Sequence, residues 1–290
     1  MATLKEIRKR IDSVKNTQQI TRAMYMVSAA KLRRAQDGAE HARPYAESMK
    51  STIEGLVGKL TEKVHPLLLP HDETKVAELV VFTSDRGLCG GFNANLIKKA
   101  EAFIEENRDN YESFTVTAVG KKAGDYYRRR KRPARRIVTN LVREISYDMA
   151  RELADELTER YISGESDVIY LVYPVFKSAL TQNPTVVKLL PFEFEEGDED
   201  ADAGVDYIYE PSLEDILETL LPKEVRTQVY TAMLETVASE HGARMTAMDS
   251  ASSNASDMID SLTLQFNRAR QASITKELSE IIGGAEALKG

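Results

Sequence analysis

The sequence predicts an α/β fold with long helical extensions, on three observations. Long stretches at both ends lack proline and nearly lack glycine. Each carries a narrow apolar stripe at spacings of three and four residues. Between them, short apolar runs alternate with amphipathic segments, the pattern of strand–helix–strand units.

The first helix is read from Leu4, Ile7, Ile11 and Val14, a seam of coiled-coil spacing. Ile20, Met24 and Val27 are expected to continue it after a shift of phase. No Gly or Pro occurs from Ala2 to Asp37, and Thr3 stands three before Glu6, a capping-box pattern. A helix of that extent runs roughly 50 Å at 1.5 Å per residue. Pro44 is expected to bend or interrupt it, with helix resuming over 45–60.

The middle reads as strands at 77–83, 114–120, 167–176 and 185–192, with helices at 93–107 and 143–162. That alternation implies βαβ units and a mostly parallel sheet, a Rossmann-like domain. The acidic run 193–204 is expected to be a surface loop. A second long helix begins at 211, with Pro222 as a break or a first-turn proline. From Met245 and Met248 through Ser252, Ala255, Ile259, Leu262, Phe266 and Ala269 to Ser273 its seam keeps heptad spacing. Over 223–282 this helix would run roughly 90 Å, farther than the middle domain is wide. The expected organisation is an N-terminal helix (1–60), an inserted α/β domain (61–210) and a C-terminal helix (211–290). The two stripes need partners, and a chain leaving along one helix and returning along the other makes them an antiparallel coiled coil.

Composition narrows the function. The net charge is −7, but residues 1–36 carry nine Lys/Arg against two acids, and residues 121–136 carry nine bases against one acid. An acidic protein with a basic first helix fits a specific acidic partner better than nucleic acid. The single cysteine, Cys89, excludes a disulfide within the chain, as suits a reducing cytoplasm. No apolar run of about 18 residues is present, and the N-terminal segment has no apolar leader region.

Three motifs invite chemical readings. SDRGLCGGFN (84–93) lies where phosphate loops lie, between a strand and a helix, but fits neither G-x-x-x-x-G-K-[ST] nor G-x-G-x-x-G. Its glycines are read as serving a tight turn. Cys89 has no histidine near it in sequence, since His41, His65, His71 and His241 all lie elsewhere, so it is read as structural. YYRRRKRPARR (126–136) mixes aromatic and basic residues. It is read as a solvated face or a contact with an acidic neighbour rather than a nucleic-acid patch.

A more specific signal comes from NTQQITRAMYMVSAAKLRRAQ (16–36), SDRGLCGGFN and the stretch 238–288, which contains ITKELSEIIGGAEA. In order and spacing these resemble the gamma subunits of bacterial F-type ATP synthases. The resemblance implies a central rotor shaft that holds no catalytic residue, cofactor or metal. Its terminal helices would form the antiparallel coiled coil inside an alpha3beta3 hexamer. Its α/β domain would sit beside the epsilon subunit on the membrane c ring. Such a subunit lies peripherally on the cytoplasmic face of the bacterial plasma membrane, without entering the bilayer. Matching positions imply partner or interhelix contacts for Met24, Arg244, Gln271, Thr275 and Glu277, and on the same surface for Gln265 and Arg268. The tip, 281–288, would act as an apolar bearing, and the basic first helix would face acidic loops of beta.

Two other readings stay open at this point. One is an α/β enzyme binding a phosphate-bearing ligand at 84–93. The other is a coiled-coil scaffold with no rotary role.

Overall fold

The structure is a computed structural model that describes residues 3–60, 65–130, 132–140, 145–193 and 212–287. The chain divides into two bodies, Met1–Ser28 with Met245–Gly290, and Ala29–Arg244. The division falls inside two long helices, α1 (Leu4–Val57) and α5 (Leu213–Ala287).

The larger body is built on a five-stranded sheet of order β3-β2-β1-β4-β5. Its strands are β1 (Val76–Phe82), β2 (Ser113–Val119), β3 (Arg136–Val138), β4 (Val168–Phe176) and β5 (Gln182–Leu190). All pairs are parallel except β4 with β5, as the alternating sequence pattern requires. Helices α2 (Phe92–Glu106), α3 (Lys121–Arg128) and α4 (Tyr147–Ile162) cover it. One face buries Leu79, Val81, Val116 and Val172 under Ala100 and Ile104 of α2 and Tyr127 of α3. The acidic run predicted at 193–204 lies outside the described residues beyond Glu193, which pairs with Lys188 at 2.5 Å.

The opposite face holds a buried carboxylate, Glu78, in the middle of β1. It accepts hydrogen bonds from Thr117 Oγ1 (2.6 Å), Arg160 Nε (2.9 Å), Ser166 Oγ (2.8 Å) and the Arg135 guanidinium (2.9 Å). Burial alone would raise its pKa, but these partners outweigh burial and hold the carboxyl below its ordinary range. Part of the basic stretch 126–136 is therefore not a solvated face. Arg135 also pairs with Glu156 at 2.5 Å, and Arg136 pairs with Glu152 and Glu156. Arg130 lies over the Tyr126 ring, 4.7 Å from its centre. Helix α3 and strand β3 occupy that stretch, and the sequence reading missed both because they are short and rich in charge.

Neither proline interrupts its helix: Pro44, expected to bend or interrupt, lies inside α1, and Pro222, expected as a break or a first-turn proline, lies inside α5. A proline removes one backbone bond, and packing outweighs that loss here. Within this body the helices run in opposite directions. Met49 Sδ lies 3.9 Å from Thr227 Oγ1, Gly38 lies against Leu234, and Lys31 acts on Glu240 and His241. The helix starts follow their caps. Thr3 and Glu6 exchange bonds of 2.8 and 3.3 Å, and Ser212 Oγ accepts from Asp215 N at 3.1 Å.

The smaller body is a two-helix seam. From α5, Met248 and Ala255 are buried, while Met245, Ser252, Ile259, Leu262, Phe266, Ala269 and Ser273 are half-buried, the spacing read from sequence. From α1, Leu4, Ile7, Ile11 and Val14 turn inward as expected. Of the residues expected to continue the seam, Met24 is half-buried, but Ile20 and Val27 are not part of it. Gln18, Thr21 and Ser28 carry the same heptad onward, with half-buried Met24 one residue before the exposed heptad position Tyr25, and Ile20 and Val27 are 60% and 57% exposed. A polar residue can sit in this seam because Thr21 Oγ1 donates to the Gln18 carbonyl at 3.0 Å.

Gly120, between β2 and α3, is set by geometry. Its φ is +104°, and an added Cβ would lie 2.2 Å from the Thr83 carbonyl oxygen. Gly164 also has positive φ (+75°) but open space around it. Gly164→Ala should cost about 1 kcal/mol, a conformational term alone. Gly120→Ala should cost clearly more, about 3 kcal/mol or above, because the backbone must also move. Urea unfolding of both variants tests this; equal losses would contradict it.

Candidate partner-contact surface and the arginine clasp

The glycine-rich loop leaves β1 at Thr83 and enters α2 at Phe92. Ser84 N donates to Asn93 Oδ1 (2.9 Å) and Ser84 Oγ to the Arg86 carbonyl (2.5 Å), closing the turn. Asp85 Oδ1 accepts from Lys121 N at 3.0 Å and so caps α3. The left-handed positions are Gly90 (φ 57°) and Leu88 (φ 64°). Leu88 is 65% exposed, an apolar side chain presented by a strained backbone.

Arg244 of α5 fills the inner side of this loop. Its guanidinium donates to the Gly87 carbonyl at 3.2 Å and the Arg86 carbonyl at 3.4 Å, and stands 2.6 Å from Glu240 Oε1. A phosphate cradle offers backbone N–H groups. This loop offers carbonyl oxygens to a cation from its own chain. Arg244 and Glu240 are 7% and 1% exposed. Neither Glu240 oxygen has an aligned hydrogen bond, so the contact is ionic. Burial pushes the Glu240 carboxyl up while Arg244 pulls it down, and burial dominates. Burial and the charges of Arg244 and Lys31 push His241 down to about 4. Cys89 is buried beside Phe92, Leu96 and Ala243, and desolvation raises its thiol pKa, which disfavours the reactive thiolate. Sequence reasoning found Arg244 and missed the Glu240–His241–Arg244 group. Its signal was two adjacent polar residues, Glu240 and His241, next to the helix's only glycine before 283, Gly242.

The other residues singled out in sequence lie in the smaller body. Met24 is half-buried, and Gln265, Arg268, Gln271, Thr275 and Glu277 are exposed. Thr275 Oγ1 donates to the Gln271 carbonyl at 2.9 Å, and Ser273 Oγ to Glu277 at 3.2 Å. Apolar side chains share this outer surface: Ile20, Met26 and Val27 on α1, Met258 and Leu264 on α5. Beyond Ser273 the seam ends, and every residue of 274–285 is exposed. Ile274, Leu278, Ile281 and Ile282, 49–68% exposed, form one apolar face at spacings of four, three and one.

The larger body is thus an α/β sheet packed against long helices, and the smaller body is a helix pair that exposes apolar side chains among polar ones. A family model described as ATP synthase matches residues 3–288. The ATP synthase gamma chain of Anaeromyxobacter sp. (strain Fw109-5) is 51% identical over 292 residues, covering 100% of both chains. That of Geobacter metallireducens is 51% identical over 290 residues, again covering 100% of both. The chain belongs to the ATP synthase gamma chain family. Among solved structures, a chain of the Euglena gracilis mitochondrial ATP synthase (OSCP/F1/c-ring) gives a TM-score of 0.65 at 20% identity, covering 98% of this chain and 94% of that one. The central stalk of the Tetrahymena thermophila enzyme gives 0.60 at 24% identity, covering 80% and 99%. These two likenesses establish a shared fold.

Removing Arg244 leaves Glu240 buried without its cation. Arg244→Met should cost about 3–5 kcal/mol, and the double variant with Glu240→Gln should recover part of that loss. Equal stability of the single and double variants, measured by denaturant unfolding, would argue against the pair. His241 generates a pH test. Its folded pKa of about 4 lies below the unfolded value of 6.5, so between those values the unfolded chain binds the extra proton. Stability should fall as pH drops from 6.5 towards 4, by on the order of 2–3 kcal/mol from this group. Glu240, with its pKa raised, slopes the opposite way. The stability difference between the native chain and His241→Asn isolates the histidine, and a difference flat over pH 4–7 would refute the assignment.

Proposed function

We propose that the chain is the rotor shaft of a bacterial proton-translocating ATP synthase, coupling rotation of a membrane c ring to conformational cycling of the catalytic beta subunits. The observation that carries this reading is the apolar face of Ile274, Leu278, Ile281 and Ile282, helical and left exposed among the described residues. An apolar helix end of this kind needs a sleeve, and an alpha3beta3 hexamer supplies one. The family membership, and the fold shared with the central stalk of the Tetrahymena thermophila enzyme, support it.

In this reading the terminal helices work as an antiparallel coiled coil, 1–60 and 211–290 flanking an inserted domain at 61–210. That domain meets the epsilon subunit and the c ring. The chain is non-catalytic and peripheral, on the cytoplasmic face of the membrane. It biases three catalytic sites only through contacts that differ among them. An asymmetric surface supplies such differences: Ile20, Met26 and Val27 on one helix, and Gln265, Arg268, Gln271, Thr275 and Glu277 on the other, with Met24 between them. Arg244 acts one step removed, by fixing the glycine loop that presents Leu88. The basic residues Arg8, Lys9 and Arg10 face acidic loops of beta.

Reconstitution with cognate alpha and beta subunits tests the reading. The full chain should form a defined complex with multi-site ATP hydrolysis, and a chain ending at Asp249 should lose that cooperativity. A full chain that neither joins the hexamer nor alters turnover would sink it. Changing Arg8, Lys9 and Arg10 together to Glu should leave hydrolysis but uncouple it from proton pumping. Unchanged pumping would remove the electrostatic part of the reading.

A further inference from the structure

Within the larger body, α1, α5 and the β4–β5 face enclose a cavity of about 330 Å³. Ala42, Ala46, Leu171, Val187 and Leu234 form its apolar walls. That volume lies at the small end of the range for ligand pockets, and those pockets are likewise mostly apolar with a few fixed polar groups. The polar group here is Glu224. It is 3% exposed and lines the cavity. Oε1 accepts from Gln228 Nε2 at 2.9 Å, while Oε2 is buried with no hydrogen-bond partner.

An unmatched carboxylate oxygen costs stability unless something meets it. No neighbouring charge hydrogen-bonds to it, and Lys50 acts on it only through its field. Lys50 stands at 3.6 Å from Glu54, and Glu235 accepts from Phe176 N at 2.7 Å. The remaining charged walls are Glu47 and Arg43. Three carboxyl groups and two cationic side chains line the space; burial raises the Glu224 pKa and Lys50 only partly offsets that, so a cation placed beside Oε2 would favour its charged form.

We propose that this cavity is a binding site for a small amphipathic amine, its ammonium meeting Glu224 Oε2 and its apolar body lying between Ala42, Ala46 and Leu234. The site requires nothing of the rotor reading, since every wall belongs to the larger body. An occupant would touch α1, α5 and the sheet at once. It would therefore stabilise their packing in proportion to its occupancy.

Calorimetric titration of the full chain with 4-phenylbutylamine, and with 4-phenylbutan-1-ol as its uncharged counterpart, tests the proposal. The amine should bind at least about tenfold more tightly than the alcohol. Glu224→Gln, which keeps the shape and removes the charge, should erase that difference and leave alcohol binding unchanged. Ala46→Phe, or the milder Ala42→Leu should the first fail to fold, should weaken both ligands by filling the space. Equal binding of amine and alcohol to the native chain would overturn the proposal. So would full amine affinity in Glu224→Gln, or no amine binding at all, which would leave the cavity to water.

Discussion

The structure of the larger body depends on a cation buried where a helix meets a loop. Arg244 is almost fully enclosed, and its charge is met by Glu240 from the same helix and by two carbonyls of the glycine loop. Burying a charge is costly unless its partners are well placed. That cost makes the arrangement selective, because a helix displaced by one residue would carry Arg244 away from the Arg86 and Gly87 carbonyls. The pair therefore sets the register of α5 on the sheet, and the turn at Leu88 and Gly90 aims its carbonyls to suit. Helix α1 then follows through antiparallel contacts such as Met49 with Thr227.

The sheet repeats the same logic on its own scale. Glu78 is buried in β1 and held by Arg135 and Arg160. These residues come from the edge of β3 and from α4, so one carboxylate ties three elements together. The smaller body does the reverse. Its seam is narrow and rich in Ala, Ser and Met, and it leaves large apolar residues outside. Stability is concentrated in charged clasps and a packed sheet, while the helix ends keep surface for a partner.

The sequence made the architecture legible because it depends on periodicity. Heptads at 245–273 and short apolar runs at the four main strands were enough, and each of those four strands starts within three residues of its expected place. Helix ends were legible where a cap was explicit, as at Thr3–Glu6. What failed had local causes. Pro44 and Pro222 signal breaks locally, yet tertiary packing overrides them. Ile20 and Val27 drew the seam towards apolarity, whereas the heptad through Gln18, Thr21 and Ser28 was the better guide. Arg135 and Arg136 read as surface because their partners, Glu78, Glu152 and Glu156, are distant in sequence. Glu240 and His241 were invisible as a group for the same reason, and Glu224 is an ordinary helix residue until the cavity beside it is seen.

The central claim is that this chain turns inside its partners. The direct measurement is single-molecule rotation of the reconstituted complex with the hexamer fixed to a surface. A probe can be carried on a cysteine introduced at Leu180, which is 80% exposed, while native Cys89 stays buried. The account predicts stepwise, one-directional rotation of the probe that requires ATP and stops when hydrolysis is inhibited. Steady hydrolysis beneath a stationary probe would contradict it.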